Sequence, residues 1–214
     1  MSEALIVARG LEKRFGPVPA LRGLDLEVRA GSTLAVIGPN GAGKSTLLRL
    51  LSGLTRPSGG VLRVGRSDGD RRSRRGQVGL IAHASFLYPT LTARENLLLA
   101  ARLYGVANPA ERADALLEEQ ELTGVAERRA GGFSRGMSQR LSIARGLVHD
   151  PEIILLDEPF TGLDARAASI LAERQGAHPA AHRTVVLVTH HLERAAELAE
   201  EILQEERGES VALP

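Results

Sequence analysis

The chain has 214 residues, 43% of them hydrophobic, and its 27 Lys and Arg against 26 Asp and Glu leave a net charge of +1. That is enough apolar material for one domain, or one domain with an insertion, and the charge balance gives no global case for a nucleic-acid partner. With no cysteine there is no disulfide framework, thiolate nucleophile or thiolate metal site.

The start Met-Ser-Glu-Ala-Leu has no charged n-region and no long apolar core, so no signal peptide is expected. Residues 4 to 36 alternate short apolar runs with turns, as in Ala4-Leu5-Ile6-Val7 and Leu24-Asp25-Leu26-Glu27-Val28, which predicts an antiparallel β layer. The apolar run Leu34-Ala35-Val36-Ile37 then leads through Gly38-Pro39-Asn40-Gly41-Ala42-Gly43-Lys44-Ser45-Thr46 into the helix-like Leu47 to Leu51. Short strands are expected at Val61 to Val64 and Val78 to Ile81, and the basic run Arg71-Arg72-Ser73-Arg74-Arg75 between them reads as a solvated loop.

From about Ala93 to Val148 the apolar spacing is helical, broken at Asn108-Pro109 and Thr123-Gly124, so several helices are expected. Runs such as Leu97 to Ala101 are far too short to span a bilayer, and any membrane span would come from another subunit. Two continuous apolar runs follow, Ile153 to Leu156 and Val185 to Val188, as parallel strands buried on both faces require. The pattern is an α/β core, residues 1–82 and 149–205, interrupted by a helical subdomain over 83–148. A loose tail is expected over 206–214.

Three motifs carry chemistry. Gly38 to Thr46 spells G-x-x-x-x-G-K-[ST] between a strand and a helix, the P-loop that cradles nucleotide phosphates. Glycines let backbone N–H groups converge on a phosphate at a helix N-terminus, Lys44 neutralises the terminal phosphates, and Ser45 offers an oxygen to Mg²⁺. Only Lys13 and Lys44 are lysines, so 27 minus 2 leaves 25 arginines. A chain that otherwise writes Arg keeps the compact ammonium where a tight phosphate pocket needs it.

The second motif is Asp157-Glu158, two carboxylates at the end of a buried strand, where Asp157 would hold the metal and Glu158 would polarise an attacking water. The third is Phe133-Ser134-Arg135-Gly136-Met137, where Ser134 can cap the helix running on to Val148 and leave its positive end to meet an anion. None of the histidines sits in a cluster with zinc-like spacing; His191 reads as a helix start, and His149, His178 and His182 as surface or loop residues.

The order of these motifs, followed by Thr161-Gly162-Leu163-Asp164 and Thr189-His190, resembles the ATP-binding subunit of an ABC transporter over residues 4 to 205. The resemblance implies a P-loop NTPase core of ABC type with an N-terminal antiparallel β layer and an inserted helical subdomain. It implies ATP and Mg²⁺ as cofactors, with Phe15 stacking on adenine and Gly38, Pro39, Asn40, Gly41, Ala42, Gly43, Lys44, Ser45 and Thr46 as Walker A. Ser134, Arg135 and Gly136 stand in the signature, Asp157 and Glu158 in Walker B and its catalytic glutamate, Thr161 to Asp164 in the D-loop, and His190 at the switch. Catalysis would rest on Glu158, His190 and Lys44, and metal binding on Ser45 and Asp157.

Three positions in two motifs depart from the family pattern. His83 stands where the family has a glutamine that contacts Mg²⁺ and water, and a neutral imidazole can take either role. Arg135 and Met137 replace a glycine and a glutamine of the signature, while Ser134 and Gly136 are kept. With the short length beyond the core, these features are similar to the haem-exporter ATPases of cytochrome c maturation.

The reading is therefore a peripheral ATPase at the cytoplasmic face of the membrane. It dimerises on ATP and drives a separate membrane-spanning subunit that exports haem, and it has no nucleic-acid partner. The ATPase of a general drug, lipid or polysaccharide exporter is the alternative, and a soluble ABC protein acting on ribosomes or DNA is the rival of another class. Phe86-Leu87-Tyr88-Pro89 is the apolar cluster expected to meet the membrane subunit.

Overall fold

The computed structural model describes residues 3–66, 71–82, 86–158, 183–206 and 209–213. It divides into two compact units, Met1–Leu80 with Glu152–Pro214, and Ile81–Pro151.

In the first unit, β1 (Ala4–Phe15) pairs antiparallel with β2 (Val18–Arg29) on one side and β4 (Gly59–Val64) on the other. Alternation explains the layer: Leu24, Leu26 and Val28 are buried while Asp25, Glu27 and Arg29 are exposed. At Gly60, φ is +76° and a Cβ would fall 2.1 Å from the Gly10 carbonyl oxygen, so only glycine lets β4 pass this close to β1.

The second sheet of this unit is mainly parallel. Its strand order is β5-β6-β7-β3-β8-β9, with β3 (Thr33–Ile37), β5 (Val78–Ile81), β6 (Ile153–Asp157), β7 (Thr184–Thr189), β8 (Glu201–Glu206) and β9 (Glu209–Leu213). The apolar runs of β3 and β7 are buried at every position, and β6 at all but Asp157, as expected of strands covered on both faces. Helix α1 (Lys44–Leu51) buries Leu47, Leu48, Leu50 and Leu51 in one core with Leu24, Val36, Leu155 and Val186. A short helix, Leu192–Leu198, follows β7 with His191 as its N-cap residue.

Two expectations are corrected in this unit. The arginine run is no loop but helix α2 (Arg71–Gln77). Arg74 is buried there and donates to the carbonyls of Leu50, in the last turn of α1, and Leu62. The Leu50 carbonyl also accepts from the Gly53 N–H at 3.1 Å, and the guanidinium adds charge-assisted hydrogen bonds to both carbonyls. The tail is no loose end either, since β9 pairs antiparallel with β8 from Glu206↔Glu209 to Ile202↔Leu213. Ladder hydrogen bonds along an open sheet edge recover the backbone groups that a free tail would leave to water.

The second unit is helical, with α3 (Ala93–Leu103), α4 (Pro109–Glu119) and α5 (Arg135–Leu147), and short 3₁₀ turns at Thr123–Val125 and Ala130–Gly132. The breaks fall where turn chemistry put them. Thr92 and Glu95 form a reciprocal capping box at the start of α3, and Pro109 opens α4 after Asn108. Buried Asn96 accepts from the Tyr88 N–H at 2.8 Å and donates to the Tyr88 carbonyl at 3.1 Å, which pins the approach to α3. His149, expected in a loop, is half-buried with its ring stacked 3.8 Å from that of Tyr104.

Candidate functional site

Three adjacent parallel strands of the first unit end together. Register pairs Ile37 of β3 with Thr189 of β7, and Val188 of β7 with Asp157 of β6, so the residues after Ile37, Asp157 and Thr189 leave one edge of the sheet side by side. This is the carboxyl edge, where open α/β sheets collect their chemistry.

From β3 the chain enters the P-loop. Gly41 and Gly43 hold φ of +85° and +110°, the left-handed region that side-chain-bearing residues avoid. Lys44 is only 7% exposed, and its ammonium donates to the carbonyls of Gly38 at 2.7 Å and Pro39 at 3.0 Å, folding the loop around its own cation. Gly43 caps α1 without a side-chain hydrogen bond, and the first turn carries no acid. The positive end of that helix is therefore left to an outside anion.

From β6 come the two carboxylates. Ser45 Oγ lies 3.5 Å from Asp157 Oδ1, so a hydroxyl and a carboxylate oxygen face each other at the foot of the loop. Glu158 is held at φ of +51°, with its N–H donating to the Val188 carbonyl at 2.8 Å. A left-handed conformation costs a non-glycine residue about 1–2 kcal/mol, so the surrounding contacts must enforce it. They include the Thr189 hydroxyl at 3.3 Å and His190 Nδ1 at 2.9 Å, both to Glu158 Oε2.

The residues singled out in the sequence fall in three places. Lys44, Ser45, Asp157, Glu158 and His190 come together at this edge. Phe15 stands at the end of β1, half exposed, with the Lys13 ammonium 5.0 Å from its ring centroid and anchored on the Arg56 carbonyl at 2.8 Å. Ser134, Arg135 and Gly136 open α5 in the second unit. There the Ser134 hydroxyl accepts from the Met137 N–H at 3.3 Å, and a Cβ at Gly136 would meet nothing within 4 Å. His83 and the Thr161 to Asp164 segment lie outside the described residues, as do Phe160, His178 and His182.

Sequence reading gave Thr189 and Lys13 no part in the site. A hydroxyl ending the run Val185 to Val188, and one of only two lysines two positions from Phe15, were the available signals. An open hollow of about 830 Å³ in the helical unit is not a rival site. Glu111, Asp114, Glu118 and Glu127 line it against Arg94, a field that repels phosphate.

The geometry has clear relatives. Nod factor export ATP-binding protein I of Burkholderia orbicola (strain AU 1054) is 38% identical over 216 residues, covering 99% of this chain and 71% of that protein. The protein of the same name from Rhizobium sp. (strain N33) is 37% identical with the same coverage. Among solved structures, an ATP-binding subunit of an ABC transporter superposes with TM-score 0.84 at 30% identity, over 98% of this chain and 90% of that one. A dimeric ATP-binding cassette in a post-hydrolysis state with ADP and Pi superposes with TM-score 0.82 at 28% identity, over 98% and 99%. The family model described as ABC transporter matches residues 21–161, and with these relatives it shows that the chain belongs to the ABC transporter family.

Proposed function

We propose that this chain is the ATP-binding and ATP-hydrolysing subunit of an ABC exporter. The observation that carries the reading is the meeting of the Lys44 loop, the Ser45 and Asp157 oxygens, and the Glu158–His190 pair at one sheet edge.

The residues fit Mg-ATP. A loop closed around a buried ammonium, next to an uncapped helix start, suits a polyphosphate, and the Ser45 and Asp157 oxygens are the hard donors that Mg²⁺ takes. Ser45 and Asp157 would hold the cation, which would supply positive charge to offset that developing on the phosphates. Lys44 holds the terminal phosphates and Phe15 offers an exposed ring face to the base. Glu158 orients an attacking water and takes its proton, while His190 holds the carboxylate that does so. Ser134, capping α5 with an exposed Gly136 beside it, would meet the nucleotide of a second copy in a head-to-tail dimer.

The export assignment follows the relatives, which are named for Nod factor export. Haem export is therefore corrected to the alternative reading, the general drug, lipid or polysaccharide exporter. Among the described residues no helix is long and apolar enough to cross a membrane, so the span falls to a separate subunit. The exposed rings of Phe86 and Tyr88 are the proposed contact with it at the cytoplasmic face.

Phosphate release from Mg-ATP by the purified chain tests the reading. Turnover lost in both Lys44→Ala and Glu158→Gln, with nucleotide binding lost only in the first, is the expected result. Turnover unchanged in both would overturn it.

A further inference from the structure

We infer that Thr189 is a positioning residue for hydrolysis, holding the Glu158 carboxylate in place through its hydroxyl; this rests on the reading of Glu158 as the base. Thr189 is fully buried at the end of β7. Its hydroxyl makes two hydrogen bonds whose directions are fixed by chemistry. The His191 backbone N–H can only donate, so Oγ1 accepts from it at 3.1 Å. The hydroxyl proton is thereby directed to Glu158 Oε2, 3.3 Å away.

That places one buried hydroxyl between the catalytic carboxylate and the chain entering the helix after β7. Glu158 needs such a tether because its backbone sits at φ of +51°, where little intrinsic preference keeps the side chain aimed. Its anchors on the end of β7 include the Val188 carbonyl, the Thr189 hydroxyl and the His190 ring. His190 is itself about half exposed, at 48% of its side-chain surface, whereas Thr189 is fully buried. The buried hydroxyl is therefore the anchor most shielded from competing water. Engaged by Glu158 Oε2 and the His191 N–H, it acts through Glu158.

The experiment uses the full chain and three variants. Thr189→Val keeps the shape without the hydroxyl, Thr189→Ala removes it without the branched bulk should valine disturb folding, and Thr189→Ser keeps it. In both hydroxyl-free variants kcat should fall about tenfold, the scale of one lost hydrogen bond to a charged group, with KM for ATP unchanged. Equilibrium affinity for a fluorescent ATP analogue should stay within about twofold of wild type, because no phosphate contact is removed. In the nucleotide-free protein, the His191 amide should exchange its hydrogen faster in both, since its acceptor is gone. Thr189→Ser should restore kcat and the protection of that amide.

Wild-type kcat in Thr189→Val and Thr189→Ala, or an equal loss in Thr189→Ser, overturns the proposal while leaving the base assignment standing. Full turnover in Glu158→Gln overturns both.

Discussion

His190 Nδ1 lies 2.9 Å from Glu158 Oε2, and beyond the register pair Asp157↔Val188 the histidine stands two places on from β7's Val188 and the glutamate one place on from β6's Asp157. The contact therefore follows from the parallel pairing and needs no loop rearrangement to form. Glu158→Gln keeps the shape of the side chain and removes its basicity. Turnover should fall about 10²- to 10⁴-fold, the usual contribution of a general base. Nucleotide binding should persist, and the variant should accumulate as an ATP-bound dimer. Sedimentation with and without ATP reads this directly, and a monomer under both conditions at high protein concentration would count against the dimer.

Lys44 is the buried ammonium of the P-loop. Lys44→Ala should weaken ATP at least about tenfold, as expected when a charge-assisted contact to phosphate is lost. Lys44→Arg should not restore it, because a planar fork cannot occupy the space of a compact ammonium bonded to the Gly38 and Pro39 carbonyls. Titration with a fluorescent nucleotide separates the three proteins.

Phe86 and Tyr88 are 43% and 53% exposed, and the Arg145 guanidinium sits 5.6 Å from the Phe86 ring centroid. Phe86→Ser and Tyr88→Ser should leave thermal stability nearly unchanged, within about 0.5 kcal/mol as for other surface changes. Co-purification with the membrane subunit should be lost. Unfolding of either variant would place these rings in the core instead.

Arg94 and Asp114 pair α3 with α4 through two hydrogen bonds, of 2.7 and 2.5 Å. The guanidinium holds the Asp114 carboxyl below its ordinary value, chiefly by hydrogen bonding, with burial opposing and the charge adding to the shift. A carboxyl lowered on folding stabilises the folded state above its unfolded pKa, and that contribution disappears as pH falls through the folded value. Asp114→Asn should therefore lower the melting temperature slightly at pH 7, and the difference should shrink as pH falls below the ordinary carboxylate range. Because the pair is exposed, high salt should shrink the difference at pH 7. Melting curves at pH 7 and below that range, with and without salt, check the sign.

The sequence by itself determined the parts whose chemistry is local. Gly41 and Gly43 flank a turn that needs left-handed backbone, and Ile153 to Leu156 is too uniformly apolar for anything but a doubly covered strand. Tertiary structure decided what depends on partners distant in the chain. The run at Arg71 to Arg75 reads as solvated because charge is costly to bury, yet Arg74 is buried with its guanidinium hydrogen-bonded to the carbonyls of Leu50 and Leu62. The tail after Glu206 carries little strand signal of its own, and the open edge of β8 makes it a strand. Thr189 is one hydroxyl after four apolar residues until the register of β6 against β7 brings Glu158 to it, a pairing across 31 residues that no local pattern encodes.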